Sequence, residues 1–128
     1  MSGKVVHFEI PFDDGDRARK FYGDVFGWQL ISVPEMGNYT IVTTGPTDQE
    51  SGPTEPGFIN GGMYERSDDF AGKGPGIVID VPGVDEALKN AEAAGGTIVQ
   101  ERQAVGEMGF TGYFTDTEGN LIGLWENA

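Results

Sequence analysis

His7-Phe8-Glu9-Ile10, followed after a turn by Asp16-Arg17-Ala18-Arg19-Lys20, returns later in the chain as Gly76-Ile77-Val78-Ile79 and, after a turn, Asp85-Glu86-Ala87-Leu88-Lys89. Residue 7 falls on 76 and residue 16 on 85, an offset of 69 that also carries Gly27 onto Gly96. Each copy reads as a strand, an acidic turn, a helix and a glycine stop. Val6, Phe8, Ile10 and Phe12 alternate along the first copy and predict a strand with one face in a core. Asp13-Asp14-Gly15-Asp16 supplies N-cap chemistry and puts negative charge at the positive end of a helix dipole. Ala18, Phe21, Tyr22 and Val25 recur at helical spacing, and Gly27 suits the left-handed residue that ends a helix.

The ends of the copies repeat as well. Gly62-Met63-Tyr64-Glu65 matches Gly123-Leu124-Trp125-Glu126 at an offset of 61. The offset shrinks because the first copy carries a longer loop over 45–56, rich in proline, glycine and polar residues, which reads as an exposed connection. Further strands are expected over 28–33, 38–44 and 57–65 in the first copy. The second copy predicts a strand over 76–81, a helix over 84–94 and strands over 97–102, 109–116 and 120–126. Asp116-Thr117-Glu118-Gly119-Asn120 reads as a hairpin turn with Gly119 at positive φ. Two copies are too few for a solenoid. They predict one α+β domain over 1–128, built from two βαβββ modules (1–66 and 74–128) in a pseudo-twofold arrangement.

Composition narrows the function classes. The 128 residues, 38% hydrophobic and 11% aromatic, suit one globular domain. With no cysteine there is no disulfide framework, thiol nucleophile or thiolate metal site, which is compatible with the expected cytoplasmic location. The N-terminal MSGKVVHFEIPF lacks the apolar stretch of a signal peptide, and no run approaches the roughly 20 apolar residues of a membrane helix. Eight basic residues against 21 acidic ones give a net charge of -13. That field repels nucleic acids and anionic membrane surfaces, and reads as a solvated acidic surface.

Two motifs carry a resemblance to a known family. Ala18-Arg19-Lys20-Phe21-Tyr22-Gly23-Asp24-Val25-Phe26-Gly27-Trp28 resembles the first helix of the vicinal oxygen chelate superfamily. Phe114-Thr115-Asp116-Thr117-Glu118-Gly119-Asn120 resembles its last hairpin, with Thr117 where proline is common. That superfamily includes glyoxalase I, bleomycin-resistance proteins and extradiol dioxygenases, and the chain looks most like predicted enzymes related to lactoylglutathione lyase. The resemblance covers the whole chain and implies a curved mixed sheet around a cleft. In metal-using members each module supplies two ligands, and the resemblance places these positions at His7 and Gly62 and at Gly76 and Gly123. Glycine has no donor side chain, and His7 is the only histidine. Three of the four positions therefore lack a donor, and the expectation is a protein without a bound metal or cofactor; a carboxylate-only site, and with it a metal-dependent lyase or dioxygenase, is the alternative.

Strand alternation completes the site reading. His7 and Glu9 share a face opposite Phe8 and Ile10, and Gly76 and Val78 share one opposite Ile77 and Ile79. Asn60, Gly62 and Tyr64, with Gly123 and Trp125, are the corresponding residues of the last strands, and Tyr113 and Tyr39 are candidate donors or acceptors. The three glycines either leave room for an organic group or relieve crowding. His7 beside Glu9 is a candidate general base with a raised pKa, or a pair that simply bond each other or the backbone. Gly106-Glu107-Met108-Gly109-Phe110-Thr111-Gly112 lacks the lysine of a phosphate-binding loop. Three functions follow. The first is a metal-free protein binding a small organic molecule, and the second a metal-free lyase or isomerase using His7 and Glu9. The third is a domain acting through protein contacts. Members of this size commonly pair, so the resemblance also implies a homodimer.

Overall fold

The computed structural model describes residues 3–68, 70 and 74–128. In chain order the elements are β1 (Val5–Phe12), α1 (Gly15–Phe26), β2 (Gln29–Val33), β3 (Tyr39–Thr43), β4 (Thr47–Asp48), β5 (Gly52–Pro53), β6 (Gly61–Glu65), β7 (Gly76–Asp80), α2 (Val84–Ala93), β8 (Thr97–Val105), β9 (Gly109–Thr115) and β10 (Leu121–Asn127). This is a mixed α+β fold in which the strand–helix–three-strand unit occurs twice. Differences from expectation are local. The strand expected from 57 begins at Gly61, and β8 runs on to Val105. The loop over 45–56 carries a hairpin of its own, β4 with β5.

The chain divides into two compact units, one of residues 7–75 and one of residues 1–6 with 76–128. The division falls inside β1 for a clear reason. Gly3 N–H donates to the Asp80 carbonyl (2.7 Å), and Asp80 N–H donates to the Lys4 carbonyl (2.9 Å), so the first described residues pair with β7.

In the first unit the strand order is β2-β3-β6-β1. β1 and β6 run parallel with Glu9 opposite Gly62, while β3 is antiparallel to β6 with Ile41 opposite Gly62. Phe12, Val42 and Met63 form the buried centre, with Phe8, Ile10, Ala18, Tyr22, Trp28 and Leu30 packed around it. The alternation along β1 therefore sends Phe8, Ile10 and Phe12 to the helix side, while Val6 stays exposed. α1 starts at Asp14, whose side chain accepts from Arg17 N–H, and stops at Gly27 with φ 71°. Ending there lets Trp28 stack on Tyr22, with centroids 5.1 Å apart and planes 4° apart, a contact worth about 1 kcal/mol beyond the area it buries.

In the second unit the order is β7-β10-β9-β8. Val84, Leu88 and Leu124 are its buried centre, with Ile79, Phe110 and Phe114 against them. Ile77, expected on the same face as Ile79, is exposed. Gly112 sits beneath α2, where a Cβ would meet Val84 Cγ1 at 2.6 Å, so the helix packs on bare backbone there.

Candidate functional site

β1, β3 and β6 bring three residues together on the sheet face away from α1. His7 Nε2 lies 2.9 Å from Tyr39 Oη, and Tyr39 O–H donates to Glu9 Oε2 at 2.9 Å. His7 and Glu9 do not bond each other in this network; the tyrosine hydroxyl bridges them. Glu9 is only 7% exposed. A buried carboxylate needs hydrogen bonds to replace its lost water, and Tyr39 supplies one. Burial also pushes the His7 pKa down to about 4 from 6.5, because the charged imidazolium would lose its hydration. The raised value expected for a histidine beside a carboxylate is thus reversed, and desolvation is the cause.

Gly62 makes the arrangement possible. A Cβ at residue 62 would collide with Tyr39 Oη and its ring carbon, so the phenol occupies the volume that a side chain at 62 would need. The second unit repeats the device. Gly123 lies opposite Tyr113, and a Cβ there would meet the Tyr113 ring at 2.9 Å and Val78 Cγ2 at 3.1 Å. At Gly76 a Cβ would meet the Leu121 carbonyl at 2.9 Å, so that glycine permits a close backbone approach. A Cβ would be crowded at all three of these glycines.

The other expected site residues are placed as follows. Asn60 Oδ1 accepts Thr44 N–H at 2.9 Å and its Nδ2 donates to Thr47 Oγ1 at 2.8 Å, so the side chain ties the end of β3 to the following loop. Tyr64 packs edge-on against Phe70. Trp125 donates from Nε1 to Asn127 Oδ1 at 2.8 Å. Val78 is buried beside Gly123. An open depression of about 340 Å³ lies elsewhere in the first unit, lined by Pro11, Phe12, Arg17, Phe21, Tyr22 and Arg66 among others; His7, Glu9 and Tyr39 do not line it.

A metal does not fit these residues. Of the positions where the resemblance would put ligands, residue 62 has no side chain and its space holds Tyr39, and residues 76 and 123 are glycine. Among the described residues no three histidine, cysteine, aspartate or glutamate side chains gather as a metal site.

Comparison with known proteins agrees with this fold. The model of the bleomycin resistance protein-like N-terminal family matches residues 4–45. A glyoxylase-like domain-containing protein of Didymella fabae is 28% identical over 123 residues, covering 94% of this chain and 91% of that one. A probable lactoylglutathione lyase of Vibrio parahaemolyticus is 28% identical over 129 residues, covering 98% and 92%. Among solved structures, a methylmalonyl-CoA epimerase variant of Streptomyces coelicolor in complex with 2-nitronate-propionyl-CoA superposes with a TM-score of 0.65 at 19% identity, over 100% of this chain and 99% of that one. The chain has the fold of the glyoxalase, bleomycin-resistance and dioxygenase superfamily.

Proposed function

We propose that this glyoxalase-fold chain binds a small organic molecule without a metal, and that its first unit presents the His7–Tyr39–Glu9 face to that ligand. The observation that carries this reading is the Tyr39 hydroxyl. It stands above Gly62, bonded to His7 and Glu9 at 2.9 Å each, in the volume a ligating side chain would occupy. A hydrogen-bonded organic triad with exposed aliphatic neighbours suits an uncharged or mixed ligand better than a cation. Tyr64, Tyr113, Val78 and Trp125 remain part of the proposed binding surface of their own units.

The test is elemental analysis of the purified protein beside thermal shift with magnesium, manganese, nickel and zinc. The expected result is no stoichiometric metal and no metal-induced rise in melting temperature. A bound metal that stabilises the fold would refute the proposal.

A second reading is favoured by the same triad: a metal-free isomerase or lyase in which Glu9 and His7 move a proton. The Streptomyces neighbour is an epimerase of a CoA ester. An acyl-CoA would bring its phosphates toward a chain of net charge -13, in which Arg19 and Lys20 are already paired with Asp16 and Asp24, so a smaller or less anionic substrate fits better. Loss of turnover in His7→Ala with the fold intact would establish this reading. We also propose a homodimer, supported by the exposed Phe21, Val25 and Phe26 of α1. Sedimentation showing only monomer at micromolar concentration would overturn it.

A further inference from the structure

We propose that Tyr39 and Glu9 lock the His7 ring in one tautomer, so that Nδ1 faces the ligand as a bare acceptor, and that the site takes an uncharged molecule carrying a hydroxyl on an apolar body. This deepens the binding reading above and rests on it.

The argument is a count of protons. A phenol has one O–H, and Tyr39 spends it on Glu9 Oε2. The contact between Tyr39 Oη and His7 Nε2 then needs a hydrogen from the imidazole, so Nε2 carries the N–H and Tyr39 accepts it. A neutral imidazole has one N–H, and burial keeps this ring neutral near pH 7. Nδ1 therefore holds a lone pair. It has no hydrogen-bond partner among the described residues. A half-buried acceptor whose lone pair no described residue uses can take a hydrogen bond from a ligand that donates.

The surroundings define the rest of the ligand. Ile41 lies opposite Gly62, and Ile31 lies opposite Ile41, on the same face as Tyr39. These two are 43% and 48% exposed, which offers an aliphatic bed beside the triad. The overall charge of -13 opposes an anion. Tyr39 acts here as a positioning residue, setting the ring through which His7 meets the ligand.

His7 is the only histidine, so its ring nitrogens give isolated signals in protein labelled with nitrogen-15. In the wild-type chain at pH 7 the expected spectrum is that of the Nε2–H tautomer. Tyr39→Phe removes the hydroxyl and is expected to give mixed tautomers. Phenol, titrated into the wild-type chain, should move the Nδ1 signal saturably; anisole, which has the ring without the donor, should bind about tenfold more weakly, the ratio one hydrogen bond supplies. Benzoate should leave the signal unmoved. A wild-type Nδ1–H tautomer, or a mixture unchanged in Tyr39→Phe, would overturn the lock. Equal shifts from phenol and anisole, or no shift from phenol at millimolar concentration, would overturn the ligand class. None of these outcomes depends on metal content, so failure here is distinct from failure of the metal-free reading.

Discussion

The hydroxyl that joins His7 to Glu9 stands where any side chain at residue 62 would have to go, so the fate of the triad turns on a single missing methyl. Gly62→Ala is expected to drive Tyr39 aside, cost about 1–3 kcal/mol through overpacking, and free the His7 ring; denaturant unfolding with the nitrogen-15 spectrum reads both effects. The histidine makes a second prediction. Its folded pKa is about 4 against 6.5 unfolded, so between those values the unfolded chain binds the extra proton. The stability His7 contributes is thus complete above about pH 6.5 and is lost as the pH falls toward 4. Substituting His7→Asn should shrink the difference in unfolding free energy between pH 7 and pH 5 relative to wild type. An unchanged difference would mean that the ring is not desolvated. The pairing of His7 with Glu9 on one face was legible from strand alternation. Tyr39 as their bridge was not, because a diagonal neighbour across β3 and β6 depends on a register that no local pattern records.

The two helices solve the same end problem by different means. α1 begins with a local cap, Asp14, which accepts from Arg17 N–H, as the run of aspartates in the sequence suggested. α2 has Gly83 at that position, and glycine offers no side-chain oxygen. Its first N–H, at Val84, is instead satisfied by Glu126 Oε1 on β10 at 2.9 Å. Arg102 holds that carboxylate through Nε at 3.1 Å and Nη2 at 2.9 Å, and its guanidinium lies 3.5 Å from the Phe110 ring centroid. The Arg102 hydrogen bond, then the Val84 N–H, keep the Glu126 carboxyl below its ordinary pKa. The stability it gives is present above the unfolded carboxylate pKa and disappears as the pH falls through the lower folded value. Glu126→Gln should therefore lower the melting temperature at pH 7 and lose less than wild type on acidification. A wild-type melting temperature at pH 7 would mean the cap contributes nothing. Local signals could not reveal this cap, because its donor and acceptor are separated by 42 positions. The helix stops were read more closely: Gly27 takes φ 71°, but in the second copy Gly95, at φ 107°, takes the positive angle one residue before Gly96.

At the scale of the whole chain, the repeat was the most legible feature. The 69-residue offset makes β7 the counterpart of β1 and α2 the counterpart of α1, because amphipathic periodicity and glycine stops are local properties. Each unit then builds its own buried centre, around Met63 in one and Leu88 in the other. The chemistry of the face opposite those centres was less legible, since it depends on which long side chains cross which glycines. Net charge was readable from composition alone and makes the last prediction. With 21 acidic residues against eight basic ones, most carboxylates lack a cationic partner to offset them. Compaction brings these like charges closer, and salt with a Debye length of about 10 Å at 0.1 M screens the repulsion more than it weakens the surface pairs Lys20–Asp24 and Arg66–Asp13. Raising sodium chloride from about 10 mM, where the Debye length is about 30 Å, to about 0.5 M should therefore raise the melting temperature at pH 7. Potassium chloride should do the same, because the effect is ionic strength rather than ion binding. A melting temperature that falls with salt would mean that the paired charges, not the excess of carboxylates, dominate the electrostatics of the fold.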